Sequence, residues 1–290
     1  MENAMDEREA LRLLGADLSH AGDDAAVVDS TAITTDMLHE STDFPAGTTR
    51  YTAGWRAVAA SLSDLAAMGA DPTAAVAAYA DEAFVDSELR AFVEGARDVC
   101  AAVGTEYVGG DLDHHSEFTV ATTAIGDVDH PVFRSGARPD DLVCVTGTVG
   151  RSAAALALFD RDETEQANDL FQFTPRIEAG RRLAEAATAM MDSSDGLARS
   201  LHQLAEASDC GFAIERDSVP IDEAVDALDI DRWEAGVHFG EDFELVFTIP
   251  EAALSAVETD VPITVIGRVT DAEAGVTVDG EPLPDRGYTH

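Results

Sequence analysis

Lysine is missing from this chain: every one of its 18 basic residues is arginine. The absence removes whole classes of chemistry. A Walker A loop places a lysine on the nucleotide phosphates. Protein kinases use a strand lysine for the same purpose, and pyridoxal-phosphate and Schiff-base enzymes form their covalent link through one. Phosphate chemistry in this protein must rest on arginine, backbone N–H groups and metal ions. Cysteine is scarce as well. Cys100, Cys144 and Cys210 lie far apart, with no Cys-x-x-Cys and no histidine at zinc-finger spacing, so neither a disulfide framework nor structural zinc is expected. No apolar run reaches the ~18 residues of a membrane span. The stretch from Met1 to Glu7 is acidic and lacks the basic and apolar regions of a signal peptide, so a cytoplasmic protein is expected.

Negative charge is what the chain has in abundance: 57 acidic residues and a net charge of −39. Such a surface repels nucleic acid and anionic membranes. It suits a protein dissolved in concentrated salt, where self-repulsion is screened. The acids are interleaved with apolar residues, which make up 46% of the chain, so a large core is expected and an acidic disordered tail is not.

Periodicity predicts helices over 6–15, 55–68, 87–103, 152–159, 176–187 and 197–207. Strands are predicted over 25–28, 32–35, 76–79, 117–125, 142–146, 189–191, 243–248 and 261–269. The helix over 55–68 is the plainest: Trp55, Val58, Leu62, Leu65 and Met68 recur at helical spacing, and Gly69 and Pro72 end it. Gly109-Gly110 reads as a tight turn, and 160–175 as irregular. A loop rich in glycine, proline and charge, 134–140, marks a change of unit. Strands and helices mix without strict βαβ alternation. The expectation is α+β in two domains, 1–134 and 135–290.

In so acidic a chain an aspartate pair carries no information, because about four Asp-Asp pairs are expected by chance and only Asp23-Asp24 and Asp140-Asp141 occur. An aspartate in an apolar or glycine-rich setting does carry information. Asp23 and Asp24 stand at the entrance of an apolar strand, and Asp36 follows Thr34 and Thr35 at a strand exit. Asp111 follows Gly109-Gly110. Asp192 and Asp195 flank Ser193-Ser194 between a strand and a helix, and Asp64 sits inside an alanine-rich helix. Each has a plain structural reading: Ser194 or Asp195 as a helix cap, Asp111 as a turn residue, Asp64 as a buried hydrogen-bonded acid. Taken together they suit a hard cation such as Mg²⁺, which prefers carboxylate oxygens, water and substrate phosphates. Such a cation would remove the repulsion between carboxylates and a nucleotide. No nucleophile triad is visible. His114-His115 reads as a solvated loop, and Gly147-Thr148-Val149-Gly150 as an ordinary strand–helix connection.

At these residues the chain resembles the thiamine-monophosphate kinases, a family of the aminoimidazole ribonucleotide synthetase-like superfamily. The resemblance is carried, in order, by Gly22-Asp23-Asp24, Thr34-Thr35-Asp36, Ser61 to Pro72, Gly109-Gly110-Asp111, Arg134-Ser135-Gly136-Ala137, Val145-Thr146-Gly147, Asp192 to Leu197, Gly240-Glu241-Asp242-Phe243-Glu244-Leu245 and Gly287-Tyr288. It implies a two-domain fold: an N-terminal mixed sheet with helices, which binds ATP and metal and forms the dimer, and a C-terminal α/β sandwich. It implies ATP- and Mg²⁺-dependent phosphorylation of thiamine monophosphate to thiamine diphosphate by direct in-line transfer, in a homodimer. The acceptor is a phosphate oxygen, anionic at neutral pH, so no catalytic residue is needed beyond metal and phosphate positioning. By the same resemblance Asp24, Thr34, Thr35, Asp36, Asp64, Asp111, Asp192 and Asp195 would hold Mg²⁺, directly or through water. Arg134, Ser194 and Gly110 would touch ATP. Asp43, standing where the family often has a histidine, would meet the thiamine substrate with Glu241 and Tyr288. The alternatives are another ATP-dependent enzyme of the superfamily, or a non-catalytic protein that binds Mg²⁺ and nucleotide.

Overall fold

The computed structural model describes Leu13, Gly15, Leu18 and residues 20–287. The helix expected over 6–15 and the candidate Tyr288 lie outside the described residues, Leu13 and Gly15 excepted. The first half of the chain builds a five-stranded sheet from β1 (Ala26–Val28), β2 (Thr31–His39), β3 (Asp71–Asp81), β4 (Tyr107–His114) and β5 (Thr119–Asp127), in the order β1-β2-β5-β3-β4. Its pairings are antiparallel except β3 with β4. A short helix, α1 (Glu40–Asp43), follows β2, and two long helices cover one face: α2 (Arg50–Ala67) and α3 (Asp86–Ala102).

The second half builds a seven-stranded sheet from β6 (Leu142–Thr146), β7 (Ala189–Asp192), β8 (Cys210–Ile214), β9 (Leu245–Ile249), β10 (Ile263–Asp271), β11 (Val276–Val278) and β12 (Glu281–Pro282). Their order is β12-β11-β8-β10-β6-β9-β7. Around it lie α4 (Arg151–Phe159), α5 (Thr164–Phe171), α6 (Ile177–Leu183), α7 (Leu197–Ser208), α8 (Glu223–Asp226) and α9 (Glu251–Leu254), with a π-helical turn at Glu234–His238.

Helix α2 is the shared layer. Thr49 starts it, its hydroxyl accepting from the Thr52 N–H, and nearly every residue of it is buried. Leu62, Leu65 and Met68 join one hydrophobic cluster with Leu142, Cys144, Met190, Leu245 and Phe247 of the second sheet, so the core crosses from one half to the other. The alternate residues Val143, Val145, Met191 and Val246 face the other way and pack with Leu197, Leu201 and Leu204 of α7. The second sheet is thus buried on both faces, which explains its continuous apolar strands. The helices that touch α2 approach it closely. A Cβ on Gly95 of α3 would lie 2.0 Å from the Tyr51 carbonyl oxygen, and one on Gly180 of α6 would lie 2.1 Å from that of Ala66. Neither contact tolerates a side chain.

The first sheet is covered on one face. On the other, Ile33, Met37, Val108, Leu112 and Ile125 are exposed. Two expectations fail here. Gly109-Gly110 is no turn. It lies inside β4, where Gly109 takes φ +145° beside a register shift and a Cβ on Gly110 would meet the Ala77 carbonyl oxygen at 1.7 Å. The glycines let two parallel strands close up, a reason that composition does not distinguish from a turn. The stretch 160–175, read as irregular, contains α5, whose Ala167 and Phe171 bury themselves against Ala155 and Phe159 of α4. Strands β8 and β11 were not expected either. The residues between β5 and β6, which include the loop 134–140, form bends and turns with no helix or strand.

Candidate functional site

Strand β2 presents its residues by period two. Ala32, Thr34, Asp36 and Leu38 point under the sheet toward α2, while Ile33, Thr35 and Met37 point to the open face. Helix α2 lies beneath, with Ser61, Ser63 and Asp64 in an otherwise alanine-rich stretch. Asp24 arrives from the loop before β1, and Asp192 from the C-terminal end of β7. The last three of these elements bring carboxylate oxygens of Asp24, Asp64 and Asp192 within 4.8 Å of one another.

Hydroxyls orient the acids. Thr34 Oγ1 donates to Asp64 Oδ2, Ser63 Oγ to Asp192 Oδ2 at 2.6 Å, and Ser61 Oγ to Asp36 Oδ2 at 2.5 Å. The one cation paired with the cluster among the described residues is Arg134. Its Nη2 lies 2.9 Å from Asp24 Oδ1 and its Nε 3.3 Å from Oδ2. The loop that carries it is fixed by its backbone: the Arg134 N–H donates to Asp23 Oδ1 at 2.8 Å, and its carbonyl accepts from Ser208 Oγ at 3.2 Å.

Burial, then repulsion from Asp36, Asp192 and Asp24, holds the Asp64 carboxyl well above the usual range, against the pull of the Thr34 hydroxyl. Burial and the neighbouring Asp24 push Asp192 up to about 7, although Ser63 and Arg134 favour its ionised form. The same acids raise the Arg134 guanidinium further still, chiefly through Asp24 and against its own burial. The donor set is all oxygen, convergent and short of positive charge, which fits a hard divalent cation.

A second acidic stretch adjoins this cluster. Glu241 donates its N–H to the Ser194 carbonyl at 2.6 Å, and Ser193 donates its own to the Glu244 carbonyl at 2.9 Å. Glu241 (φ +63°) and Phe243 (φ +54°) both stand in the left-handed region, a strained state that the surroundings must hold. They do so densely. The fully buried Arg56 of α2 reaches Glu241 Oε2 at 2.6 Å and the Glu241 carbonyl at 2.9 Å, with its guanidinium 3.7 Å from the Phe171 ring centroid. Asp242 accepts from the N–H groups of Gly150 and Ser152 at the start of α4, at 2.5 and 3.0 Å. Glu244 takes both arms of Arg176, with Nε at 2.7 Å, and the Thr146 hydroxyl at 2.6 Å. The Phe243 ring stacks on Phe173 at 4.2 Å.

The expected residues therefore divide. Asp24, Thr34, Asp36, Asp64, Asp192 and Arg134 come together. Ser194 and Glu241 meet each other beside them, and Asp195 lies in the loop that follows Asp192, with Gly287 packed against its carbonyl. Thr35 does not join the cluster through its side chain: on the open face its hydroxyl donates to the Thr122 carbonyl at 2.8 Å. Asp111 sits exposed on the edge strand β4, opposite Ala78, and within one chain it is not part of the group. Gly110 is held against Ala77. Asp43 is buried, and its Oδ2 accepts from the His39 N–H and the Thr42 hydroxyl at 2.6 and 2.8 Å. The residues that sequence reasoning gave no role are Ser61, Ser63, Arg56, Arg176 and Ser152. The first three are polar side chains in a helix that is otherwise apolar, and that was their signal.

Two family models match the chain in succession: the AIR synthase related protein N-terminal domain over residues 22–128, and the AIR synthase related protein C-terminal domain over 138–279. A thiamine-monophosphate kinase of Halobacterium salinarum is 64% identical over 99% of this chain and 100% of its own length. One of Methanospirillum hungatei is 40% identical over 99% of both. A solved structure described as AaThiL complexed with AMPPCP and TMP superposes with a TM-score of 0.91 at 28% identity, covering 100% of each chain.

Proposed function

Since this chain belongs to the thiamine-monophosphate kinases among the AIR synthase related proteins, we propose that it transfers the terminal phosphoryl group of ATP to thiamine monophosphate. The products are thiamine diphosphate and ADP. The observation that carries the reading is the convergence of Asp24, Asp64 and Asp192 in a fold shared with a relative solved in complex with AMPPCP and TMP. The attacking atom is a phosphate oxygen that is already ionised, so the chain needs no strong base, and the site offers none. What it must supply is alignment and relief of charge.

Asp24, Asp64 and Asp192 would hold Mg²⁺, with Asp36, Thr34 and Asp195 completing the set directly or through water. Bound there, the ion would neutralise the phosphates and polarise the transferred group. The hydroxyls of Thr34, Ser61 and Ser63 fix the carboxylates that receive it. Arg134 and Ser194 would contact ATP, and the arginine fork suits phosphate oxygens. Glu241, held by Arg56, would face the thiamine part with Tyr288 and Asp43.

Thr35, Asp111 and Gly110 belong to the open face and edge of the first sheet, which explains why one chain does not gather them with the cluster. A homodimer through residues 1–134 would cover that exposed apolar face, and residues 135–290 would carry the loop from Glu241 to Glu244. Among the described residues no helix is long and apolar enough to cross a membrane. We take the enzyme to be cytoplasmic, and its 57 acidic residues suit concentrated salt.

The test is formation of thiamine diphosphate from ATP and thiamine monophosphate with Mg²⁺, at low and at molar KCl. Product that disappears on chelation supports the reading. A folded, nucleotide-binding protein that makes no product at any salt refutes it.

A further inference from the structure

The acidic cluster is not bare. Asp24, whose side chain is 1% exposed, is gripped at both oxygens by Arg134, whose side chain is 24% exposed. The arginine is therefore the more exposed member of the pair. Its main chain is tied to Asp23 and Ser208, so the side chain can leave without moving the loop. No other arginine among the described residues is paired with Asp24, Asp64 or Asp192. Both oxygens that a divalent ion would use on Asp24 are the ones the fork occupies.

We propose that Arg134 is the cleft's resident counter-cation: it neutralises Asp24 while the cluster holds no divalent ion, yields Asp24 when one enters, and then turns to the nucleotide phosphates. The proposal rests on the cation-binding reading given above and adds an order to it. A compact double charge outcompetes a single delocalised one for three converging carboxylates. A planar guanidinium is better matched to a phosphate than to an aspartate already claimed by a metal. The first ligand thereby creates the contact that the second uses, which is positive coupling between the two. Removing the arginine should accordingly do opposite things to the two ligands. A plain phosphate-binding arginine would weaken nucleotide and leave the metal alone.

The experiment titrates Mn²⁺ alone into the nucleotide-free full chain in molar KCl, where screening falls to about 3 Å and only contact-range charges count. Arg134→Gln is expected to bind Mn²⁺ about tenfold more tightly than the parent, because the competitor is gone. With Mn²⁺ saturating, the same variant should bind ADP about tenfold more weakly. Arg138→Gln removes an exposed charge on the same loop, and its Mn²⁺ affinity should stay within about twofold of the parent. Mn²⁺ should also raise the melting temperature of Arg134→Gln by more than it raises that of the parent.

If Arg134→Gln fails to fold without metal, Arg134→Lys carries the test. It keeps the charge but loses the fork, and should bind Mn²⁺ severalfold more tightly. Unchanged or weaker Mn²⁺ binding in a folded Arg134 variant overturns the proposal and leaves the kinase reading standing. A parent protein that binds no Mn²⁺ at all overturns both.

Discussion

Two acidic neighbourhoods touch each other in this protein and are treated in opposite ways. In the loop from Glu241 to Glu244 each acid is answered within the chain: Glu241 by Arg56, Asp242 by two N–H groups of α4, Glu244 by both arms of Arg176 and a threonine hydroxyl. In the cluster of Asp24, Asp64 and Asp192 three acids share one arginine, and the other donors are neutral hydroxyls. Burial is no less complete in the first neighbourhood, since Glu244 is 1% exposed, as is Asp192. What separates the two is the balance of charge. A balanced set is complete without a ligand and serves the fold. A set left negative is complete only when a cation comes from outside.

The largest effects are expected from neutralising one acid on each side. Asp192→Asn should lower thiamine diphosphate formation at least ~1,000-fold, by disabling the metal clamp. Without metal its melting temperature should not fall, because a like-charge contact has been removed. Normal turnover in this variant would take Asp192 out of the site. Glu244→Gln should do the reverse, costing about 3 kcal/mol in denaturant unfolding because the half-buried Arg176 is left against a neutral amide. The folded fraction should keep its Mn²⁺ affinity, and a variant of unchanged stability would show that the paired acids are not structural.

Proton uptake gives a smaller effect. Asp192 titrates at about 7 in the fold, and Asp64 is raised as well. An unfolded aspartate titrates near 3.8. The folded metal-free chain therefore holds protons that the unfolded chain has already shed. Its stability should fall as pH rises from about 4 toward 7, at up to about 1.4 kcal/mol per pH unit for each such group, and level off above that. Asp192→Asn should show a shallower slope than the parent, and Mg²⁺, by replacing the protons, should flatten it. Thermal melts from pH 5 to 8 would read this directly, and identical slopes in parent and variant would contradict it. The smallest contrast is between neighbours. Thr34→Val removes a hydroxyl from Asp64 and should weaken Mn²⁺ binding severalfold, about 1 kcal/mol. Thr35→Val, on the opposite face of the same strand, should leave that affinity unchanged. Equal effects would mean that the face assignment is wrong.

The acids of the cluster were legible because each stands where solvation does not explain it: Asp64 in a run of alanine and leucine, Asp24 against an apolar strand, Asp192 at a strand end. The α+β class and the long helix α2 were legible for the same kind of reason, since periodicity is a local property. What could not be read is which residues share a face across elements. Thr34 and Thr35 are equal as letters, and the pleat separates them. Gly109-Gly110 looks the same in a turn as in a strand pressed against Ala77. The pairings of Arg56 and Arg176 were silent because an arginine at or in a helix is ordinary until its carboxylate, 185 or 68 residues away, is known to lie against it. The helix α5 was hidden by its polar face, and only its contact with α4 pays for it.

Where α2 crosses α3 and α6, backbone rests on backbone, with Gly95 and Gly180 leaving no side chain between. A strut seated in this way has no hydrated layer at its joints to swell or shrink. Brine alters the water and ions held by the acidic exterior, but it has nothing to act on at those crossings. The seat of Asp64, which rides on this strut, is thereby gauged by atomic radii. The same seat should meet a metal in dilute buffer and in saturated salt.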